Sequence, residues 1–209
     1  MRVHKDTVIV IKSLNYSETD KILTLFGKSS GKFAVLAKGM RKIASKNRGN
    51  MQTMSMSNIS FYKGQGMPIL METEGVTVVD FGSEDMKNLE RVLLILNKLM
   101  PEESENPKVF SAVESMVTRG ISSERVNKFR VLFLNEEGLL GDMGVCEVCG
   151  ESESLTHINI KNFAMVCEKC YSKGEIDKGD LLELDKGVYA NERLTKALDR
   201  YITDLIAQL

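Results

Sequence analysis

The chain has 209 residues, of which 43% are hydrophobic and 27% are charged. This composition is typical of a folded protein and excludes a largely disordered chain. No apolar run approaches the ~20 residues that a membrane-spanning helix needs, and the N-terminus lacks the apolar segment of a signal peptide. We therefore expect a cytoplasmic protein that has no membrane partner.

The formal net charge of -1 conceals a division of charge along the chain. Residues 1–71 contain twelve Lys and Arg and three Asp and Glu, so their net charge is +9, whereas residues 72–209 carry -10. A basic segment joined to an acidic one suggests that the basic segment meets a polyanion such as nucleic acid. Alternatively, the two parts neutralise one another, and charge alone does not decide between these interpretations.

The first eighty residues show the alternation and the turn residues that predict strands. Five strands are predicted, at residues 6–14, 20–27, 31–39, 51–64 and 67–81. Short strands at this spacing indicate a small barrel or sandwich. A long connection between the third and fourth strands suits a five-stranded OB-fold barrel, which we expect at residues 1–81.

The predicted connection between the third and fourth strands carries a run of positive charge. From Lys38 to Arg48 there are five cations and no acid. Such side chains bind phosphates without reading base sequence, and OB barrels hold nucleic-acid strands in basic grooves. If about five phosphates are neutralised, log K falls with log salt with a slope of roughly -4. The candidate DNA-binding residues are Lys32, Lys38, Arg41, Lys42, Lys46 and Arg48.

Aromatic side chains are sparse in the basic segment. Those before residue 72 are Tyr16, Phe26, Phe33, Phe61 and Tyr62. We expect most of them to belong to the core of the barrel rather than to stack on bases. Electrostatic attraction should therefore outweigh stacking in the contact with DNA.

After residue 81 the spacing of the apolar residues changes to about 3.6, which predicts helices. Four helices are predicted, at residues 83–100, 106–120, 122–141 and 190–209. The expected fold class is α+β, with an N-terminal barrel followed by a helical domain that has an inserted four-cysteine ribbon. The predicted domains are the barrel at 1–81, a helical domain at 82–145, the ribbon at 146–175, and a C-terminal helical segment at 176–209 that packs on the helical domain.

The four cysteines have the spacing of a zinc site: Cys146 and Cys149 are followed by Cys167 and Cys170. Two cysteines three positions apart in a tight turn present both sulfurs to one ion, and two such turns complete a tetrahedron. The segments between the pairs could form a hairpin. We predict one structural zinc ion, because four thiolates leave no open position for catalysis. The alternative is a redox pair or free thiols, but the βαβ unit of a thioredoxin-like motif is missing.

The sequence lacks the common signatures of nucleotide-hydrolysing enzymes and serine hydrolases. The two Gly-Lys pairs, at 27–28 and 31–32, lack the earlier glycine of a P-loop, so nucleotide hydrolysis is not expected. Neither G-x-S-x-G nor G-x-G-x-x-G occurs. The sequence favours a binding module over an enzyme, and a zinc-dependent hydrolase would require an open metal position.

The segment YSETDKILTLFGKSSGKFAVLAKGMRKIASKNRG combines Ser17-Glu18-Thr19-Asp20, a hydrophobic strand, Gly31-Lys32 and the basic run. On this segment, and on the later order of helices and cysteine pairs, the chain resembles the RecO family of bacterial DNA repair proteins. The resemblance implies an OB-fold domain, a helical domain and a zinc ribbon.

The resemblance also implies a function in recombinational repair. A protein of this family binds single- and double-stranded DNA and anneals complementary strands without ATP. It acts with RecR and single-stranded-DNA-binding protein to load the recombinase RecA, in the cytoplasm and in association with the nucleoid. The alternative is a zinc-ribbon adaptor whose basic barrel docks an acidic protein partner instead of DNA.

Overall fold

A computed structural model of the chain describes residues 2–45, 47, 49–77, 82 and 85–209. The chain divides into two compact units, Met1–Ile121 and Ser122–Leu209. The first contains the predicted barrel and the first two predicted helices, and the second contains the cysteine pairs. The four predicted domains stay a prediction, because a compact unit can contain more than one folding domain.

The first unit contains a closed five-stranded barrel. Its strands are β1 (Arg2–Asn15), β2 (Lys21–Gly27), β3 (Gly31–Ala37), β4 (Met56–Lys63) and β5 (Ile69–Thr77). They are paired in the order β1-β2-β3-β5-β4, with β1 also paired to β4. A parallel pairing of β3 with β5 joins Leu36 to Ile69. This order confirms the predicted OB-fold barrel, including the long connection between the third and fourth strands.

The length of β1 explains how the barrel closes. The first half of β1 pairs with β4 and its second half pairs with β2. A register shift between Val10 and Lys12 bends the strand where it passes from one partner to the other. One strand therefore serves both sides of the barrel.

The core of the barrel is filled by side chains from all five strands and from the connection after β3. It contains Val8, Val10, Leu23, Leu25, Phe33, Val35, Ala37, Met40, Met51, Ile59, Phe61 and Leu70. Met40 and Met51 belong to the connection between β3 and β4. The connection is thus packed into the core on both sides of an exposed stretch, Arg41 to Ala44.

Two helices of the first unit are α1 (Met86–Lys98) and α2 (Pro107–Arg119). A side-chain amide of α1 donates a hydrogen bond to the backbone carbonyl of Ile11 on β1. The ring of Phe110 on α2 meets the ring of Phe26 on β2 edge to face, with centroids 5.3 Å apart. These contacts fix both helices against the barrel.

The second unit combines helices with a small sheet. Its elements are α3 (Ser123–Glu136), β6 (Leu155–Asn159), β7 (Met165–Cys167), α4 (Glu168–Lys173), β8 (Leu181–Glu183) and α5 (Glu192–Ile206). The strands form an antiparallel sheet in the order β7-β6-β8, so the predicted hairpin between the cysteine pairs is confirmed. The sequence did not predict α4 and β8. Every helix in the described part of the chain is too short or too polar to span a bilayer.

A buried polar network joins α3 to α5. The guanidinium of Arg130 is buried and its Nη2 lies 2.7 Å from Oδ1 of Asp199. The side-chain amide of Asn127 donates to the hydroxyl of Thr195 at 2.7 Å. Because buried polar groups are costly without partners, this network specifies one register of α5 on α3.

Candidate nucleic-acid interface and metal centre

The connection between β3 and β4 is fixed at its start by the turn between β1 and β2. The backbone N–H of Gly39 donates to Oδ1 of Asp20 at 2.8 Å, and the N–H of Arg41 donates to the carbonyl of Thr19 at 2.9 Å. Gly39 has a φ of 65°, which a residue without a Cβ atom adopts without strain. These bonds set the direction in which the connection leaves the barrel.

Asp20 is itself oriented by its neighbours in the turn. The hydroxyl of Thr19 donates to Oδ1 of Asp20 at 2.9 Å, and the N–H of Asp20 donates to the hydroxyl of Ser17 at 3.1 Å. The hydrogen bond from the N–H of Gly39, and next that from Thr19, lowers the pKa of the Asp20 carboxyl group. The carboxylate is therefore ionised at neutral pH and is a fixed acceptor for the connection.

We define residues 38–48 as the basic loop, which presents cations to solvent. Lys38, Arg41 and Lys42 are exposed. The ammonium group of neither lysine forms a hydrogen bond or a short ion pair with a residue that the structure describes. Nη1 of Arg41 donates to the carbonyl of Ser17 at 2.5 Å. The loop therefore combines two freely solvated ammonium groups with a guanidinium held against the β1–β2 turn.

The four cysteines of the second unit form one cluster, which brings together all the residues predicted as metal ligands: Cys146, Cys149, Cys167 and Cys170. Their Sγ atoms lie within 4.8 Å of one another, and those of Cys149 and Cys167 are 3.7 Å apart. With metal–sulfur bonds of about 2.3 Å, a tetrahedral zinc site has sulfurs about 3.8 Å apart. The cluster therefore has the dimensions of a site for one metal ion.

Each cysteine pair lies in a tight turn. The N–H of Gly150 donates to the carbonyl of Cys146 at 2.9 Å, and Gly150 has a φ of 75°. In the second pair, Cys167 ends β7 and Cys170 lies on α4. The N–H of Cys167 donates to Sγ of Cys146 at 3.4 Å, which ties the two turns together.

The thiols of the cluster differ in their tendency to ionise. Burial opposes ionisation of Cys146, but backbone N–H donors from Cys167, Cys149 and Val148 outweigh burial and lower the pKa to about 6. Burial, and then the other cysteines, raise the pKa of Cys170 to about 12. Four thiolates need a cation as counter-charge, so the donor set fits a metal ion.

His157 lies between the two cysteine pairs in sequence but belongs to the core of the sheet. Its ring is buried and stacks on the ring of Tyr171, with centroids 3.7 Å apart. Its Nδ1 lies 2.9 Å from the hydroxyl of Thr156. His157 thus packs within the sheet and does not belong to the cluster of four candidate metal ligands.

The chain is similar to known proteins along most of its length. The family model described as "Recombination protein O N terminal" matches residues 1–79. DNA repair protein RecO of Caldanaerobacter subterraneus is 29% identical over 179 residues, which cover 81% of this chain and 72% of that protein. DNA repair protein RecO of Alkaliphilus metalliredigens is 25% identical over 220 residues, which cover 92% of this chain and 89% of that protein. The first 79 residues thus match the N-terminal model of the RecO family, and the chain is similar to RecO proteins over most of its length.

The RecO family match covers the barrel and the whole basic loop. Of the six residues predicted to bind DNA, the structure brings Lys38, Arg41 and Lys42 together on this loop. Lys46 and Arg48 lie outside the described residues. Binding of DNA by any of these residues stays a prediction.

Lys32 has a different environment from the other predicted DNA-binding residues. Its side chain is 8% exposed, and its Nζ lies 3.3 Å from Oε1 of Glu102 and 3.5 Å from the carbonyl of Asn97. The carbonyl of Lys32 also accepts a hydrogen bond from the N–H of Glu103 at 2.8 Å. Lys32 therefore joins β3 to the segment after α1, and a phosphate contact from it would require its ammonium group to leave Glu102.

Sequence reasoning missed two exposed side chains beside the cations. The aromatic residues of the barrel were expected mostly in the core. Phe33 and Phe61 are buried there, and Phe26 is buried against Phe110 of α2, but Tyr16 is 65% exposed. Ile43, which follows Lys42, is 94% exposed. The position of Ile43 next to Lys42 in the sequence could have predicted its exposure, because an apolar residue in a short polar loop has no helix or strand face through which to be buried.

Proposed function

We propose that the chain is a DNA repair mediator that binds single- and double-stranded DNA through the basic loop. The name of its relatives, DNA repair protein RecO, supports a role in DNA repair. The observation that carries the proposal is the anchoring of the loop, in which Asp20 and Thr19 hold the backbone while Lys38 and Lys42 stay solvated. An anchored loop of cations is preorganised for phosphates, so less conformational entropy is lost when DNA binds.

The chemistry of the loop supports binding without sequence readout. Lysine ammonium groups contact phosphate oxygens as point charges, whereas the Arg41 guanidinium offers additional donors beyond the one bound to Ser17. Phosphate contacts position a strand but do not distinguish bases. Tyr16 and Ile43 supply an aromatic face and an aliphatic surface on which unpaired bases can pack. Such a surface suits single strands awaiting a complement.

We further propose that the chain anneals complementary strands without ATP and without catalysis. Neutralised phosphates repel each other less, so two strands bound to a basic surface can approach and pair. In the second unit, the four cysteines would hold one zinc ion, which supplies rigidity. Four sulfur ligands leave no position for a reacting water molecule, so the metal has a structural role.

The proposed partners follow from the family. RecR and single-stranded-DNA-binding protein would act with the chain to load the recombinase RecA, in the cytoplasm and on the nucleoid. The second candidate for the basic barrel is docking of an acidic protein partner. It differs from the proposal in one measurable property, because only DNA binding gives a linear fall of log K with log salt for an oligonucleotide.

The proposal is tested with the double variant Arg41→Glu, Lys42→Glu and a fluorescein-labelled oligothymidine. We expect the affinity to fall about tenfold or more and the salt slope to become shallower by about 1.4, from about 0.7 per phosphate of single-stranded DNA. The matched control is Lys87→Glu, Lys98→Glu, which reverses two exposed charges on α1. An affinity of the loop variant equal to that of this control would disprove the assignment of the loop.

A further inference from the structure

A second basic site lies within the second unit, away from the cysteine cluster. It is a cleft of about 360 Å³ between α5 and the turn that joins β6 to β7. The charged residues that line it are Lys161, Asp180, Arg193, Lys196, Arg200 and Asp204. Four of these six side chains are cations, whereas residues 122–209 as a whole contain eleven Lys and Arg against sixteen Asp and Glu. Positive charge is therefore concentrated at this cleft within an otherwise acidic unit.

The concentration of charge follows from the helical repeat. Arg193, Lys196 and Arg200 are separated by three and four positions on α5, so they lie on one face of the helix. The opposite face carries Leu194 and Leu198, which are buried. Lys161 faces this row from the β6–β7 turn across the cleft.

The cleft is held open by contacts on both walls. The N–H of Ile160 donates to the carbonyl of Asp180 at 2.9 Å, which fixes the turn. On α5, the hydroxyl of Tyr201 donates to the carbonyl of Leu139 at 2.5 Å, and its ring meets Phe163 edge to face at 5.1 Å. The cleft is therefore a preorganised feature of the unit.

The cations of the cleft differ in their hydrogen-bond and ion-pair partners. Nζ of Lys161 lies 2.5 Å from Oδ2 of Asp180, and the hydrogen bond with Asp180 raises the pKa of Lys161. Arg193 donates to the carbonyl of Gly179. By contrast, the guanidinium of Arg200 forms no hydrogen bond or ion pair within residues 122–209, all of which the structure describes. Its guanidinium is available for a bidentate contact with an anion.

We propose that this cleft binds the phosphodiester backbone of a nucleic-acid strand, separately from the basic loop. The inference rests on the proposed function, since it gives an annealing protein one phosphate-binding site in each unit. A phosphate group matches the site because its several oxygens can accept hydrogen bonds from Arg200 and from the remaining donors of Arg193. Nζ of Lys196 lies 2.8 Å from Oε1 of Glu192, so Lys196 would add a third contact by exchanging this ion pair for the phosphate. The Asp180 and Asp204 carboxylates offset only part of the positive charge of the four cations. The cleft therefore has a net positive charge, which attracts a polyanion.

The test uses the full chain with the double variant Lys196→Glu, Arg200→Glu. The matched control is Lys173→Glu, Lys186→Glu, which reverses two exposed lysines of the same unit that do not line the cleft. Binding of a fluorescein-labelled oligothymidine is measured by anisotropy over a range of salt concentrations, and annealing is measured with two complementary oligonucleotides. Melting curves of all variants establish that each is folded.

We expect the cleft variant to anneal about tenfold more slowly than the control variant and its salt slope to be shallower by about 1.4. Annealing and binding equal to those of the control would overturn the inference. So would a cleft variant that loses binding to labelled polyglutamate while its DNA binding is unchanged, because the cleft would then serve an acidic peptide. The loop variant Arg41→Glu, Lys42→Glu separates the two sites: if it binds normally while the cleft variant does not, the loop assignment fails and the cleft stands.

Discussion

In the basic loop the candidate DNA-binding side chains are exposed to solvent, whereas in the cysteine cluster the candidate metal ligands are part of the packing. Lys38 and Lys42 are exposed, and backbone hydrogen bonds to Thr19 and Asp20 hold the loop in place. Cys146 and Cys167 are buried, and a hydrogen bond to sulfur joins the two turns of the cluster. An exposed surface can change its charge without unfolding, whereas a buried cluster that holds a metal ion would lose structure on losing a ligand.

The largest effect expected from this difference concerns the metal centre. Cys149→Ser removes one sulfur ligand, and because metal binding at such a site contributes directly to folding, we expect the melting temperature to fall by about 10 °C or more. Oligonucleotide binding by the fraction that remains folded should change much less. Thermal unfolding followed by circular dichroism, with metal content measured on the purified protein, checks both statements. A melting temperature equal to that of the wild type, together with no bound metal, would refute the metal centre.

A smaller effect on stability, and none on the salt slope, is expected at Lys32. Its side chain is 8% exposed while that of Glu102 is 67% exposed, so packing of the aliphatic stem outweighs the ion pair. Lys32→Ala should lower the free energy of unfolding by about 2 kcal/mol, from about 0.8 kcal/mol for each buried methylene group. Lys32→Met retains most of the stem and should restore much of this stability.

The same variants decide whether Lys32 contacts DNA. Urea unfolding gives the stability, and oligothymidine binding over a range of salt gives the number of phosphates. If Lys32 binds a phosphate, Lys32→Met makes the salt slope shallower by about 0.7 even though the protein remains stable. An unchanged slope of log K against log salt would show that Lys32 does not contact a phosphate and that its role is to join β3 to the segment after α1.

The sequence predicted those features that depend on local patterns. Strand alternation and turn residues predicted all five strands. The spacing of three positions within each cysteine pair predicted the candidate metal ligands, because two cysteines in one turn lie close together irrespective of the tertiary fold. It did not predict the burial of Lys32, because its partner Glu102 lies far away in sequence and becomes adjacent only when the barrel meets the segment after α1. Nor did the presence of Asp20 in the family segment reveal its bond to Gly39, which requires β2 and β3 to be paired.

The smallest effect expected is also the one that tests how the loop is anchored. Charge alone predicts that removing the Asp20 carboxylate beside a basic loop strengthens DNA binding, because one repulsive group is lost. Anchoring predicts the opposite for Asp20→Ala, since the N–H of Gly39 loses its acceptor and the loop becomes less ordered. We expect Asp20→Ala to bind oligothymidine about threefold more weakly than the wild type at neutral pH.

Asp20→Asn is the matched control, because an amide oxygen can still accept from Gly39 while the charge is gone. We expect it to bind at least as tightly as the wild type. The hydrogen bond from Gly39 lowers the pKa of Asp20 below its ordinary value of 3.8, so the carboxylate keeps its charge above that pH and is protonated only as the pH falls through the lowered pKa. Between neutral pH and that value, wild type and Asp20→Asn should therefore keep a constant ratio of affinities. If Asp20→Ala binds as tightly as Asp20→Asn, anchoring by this carboxylate contributes nothing, and the exposed cations alone account for the affinity of the loop.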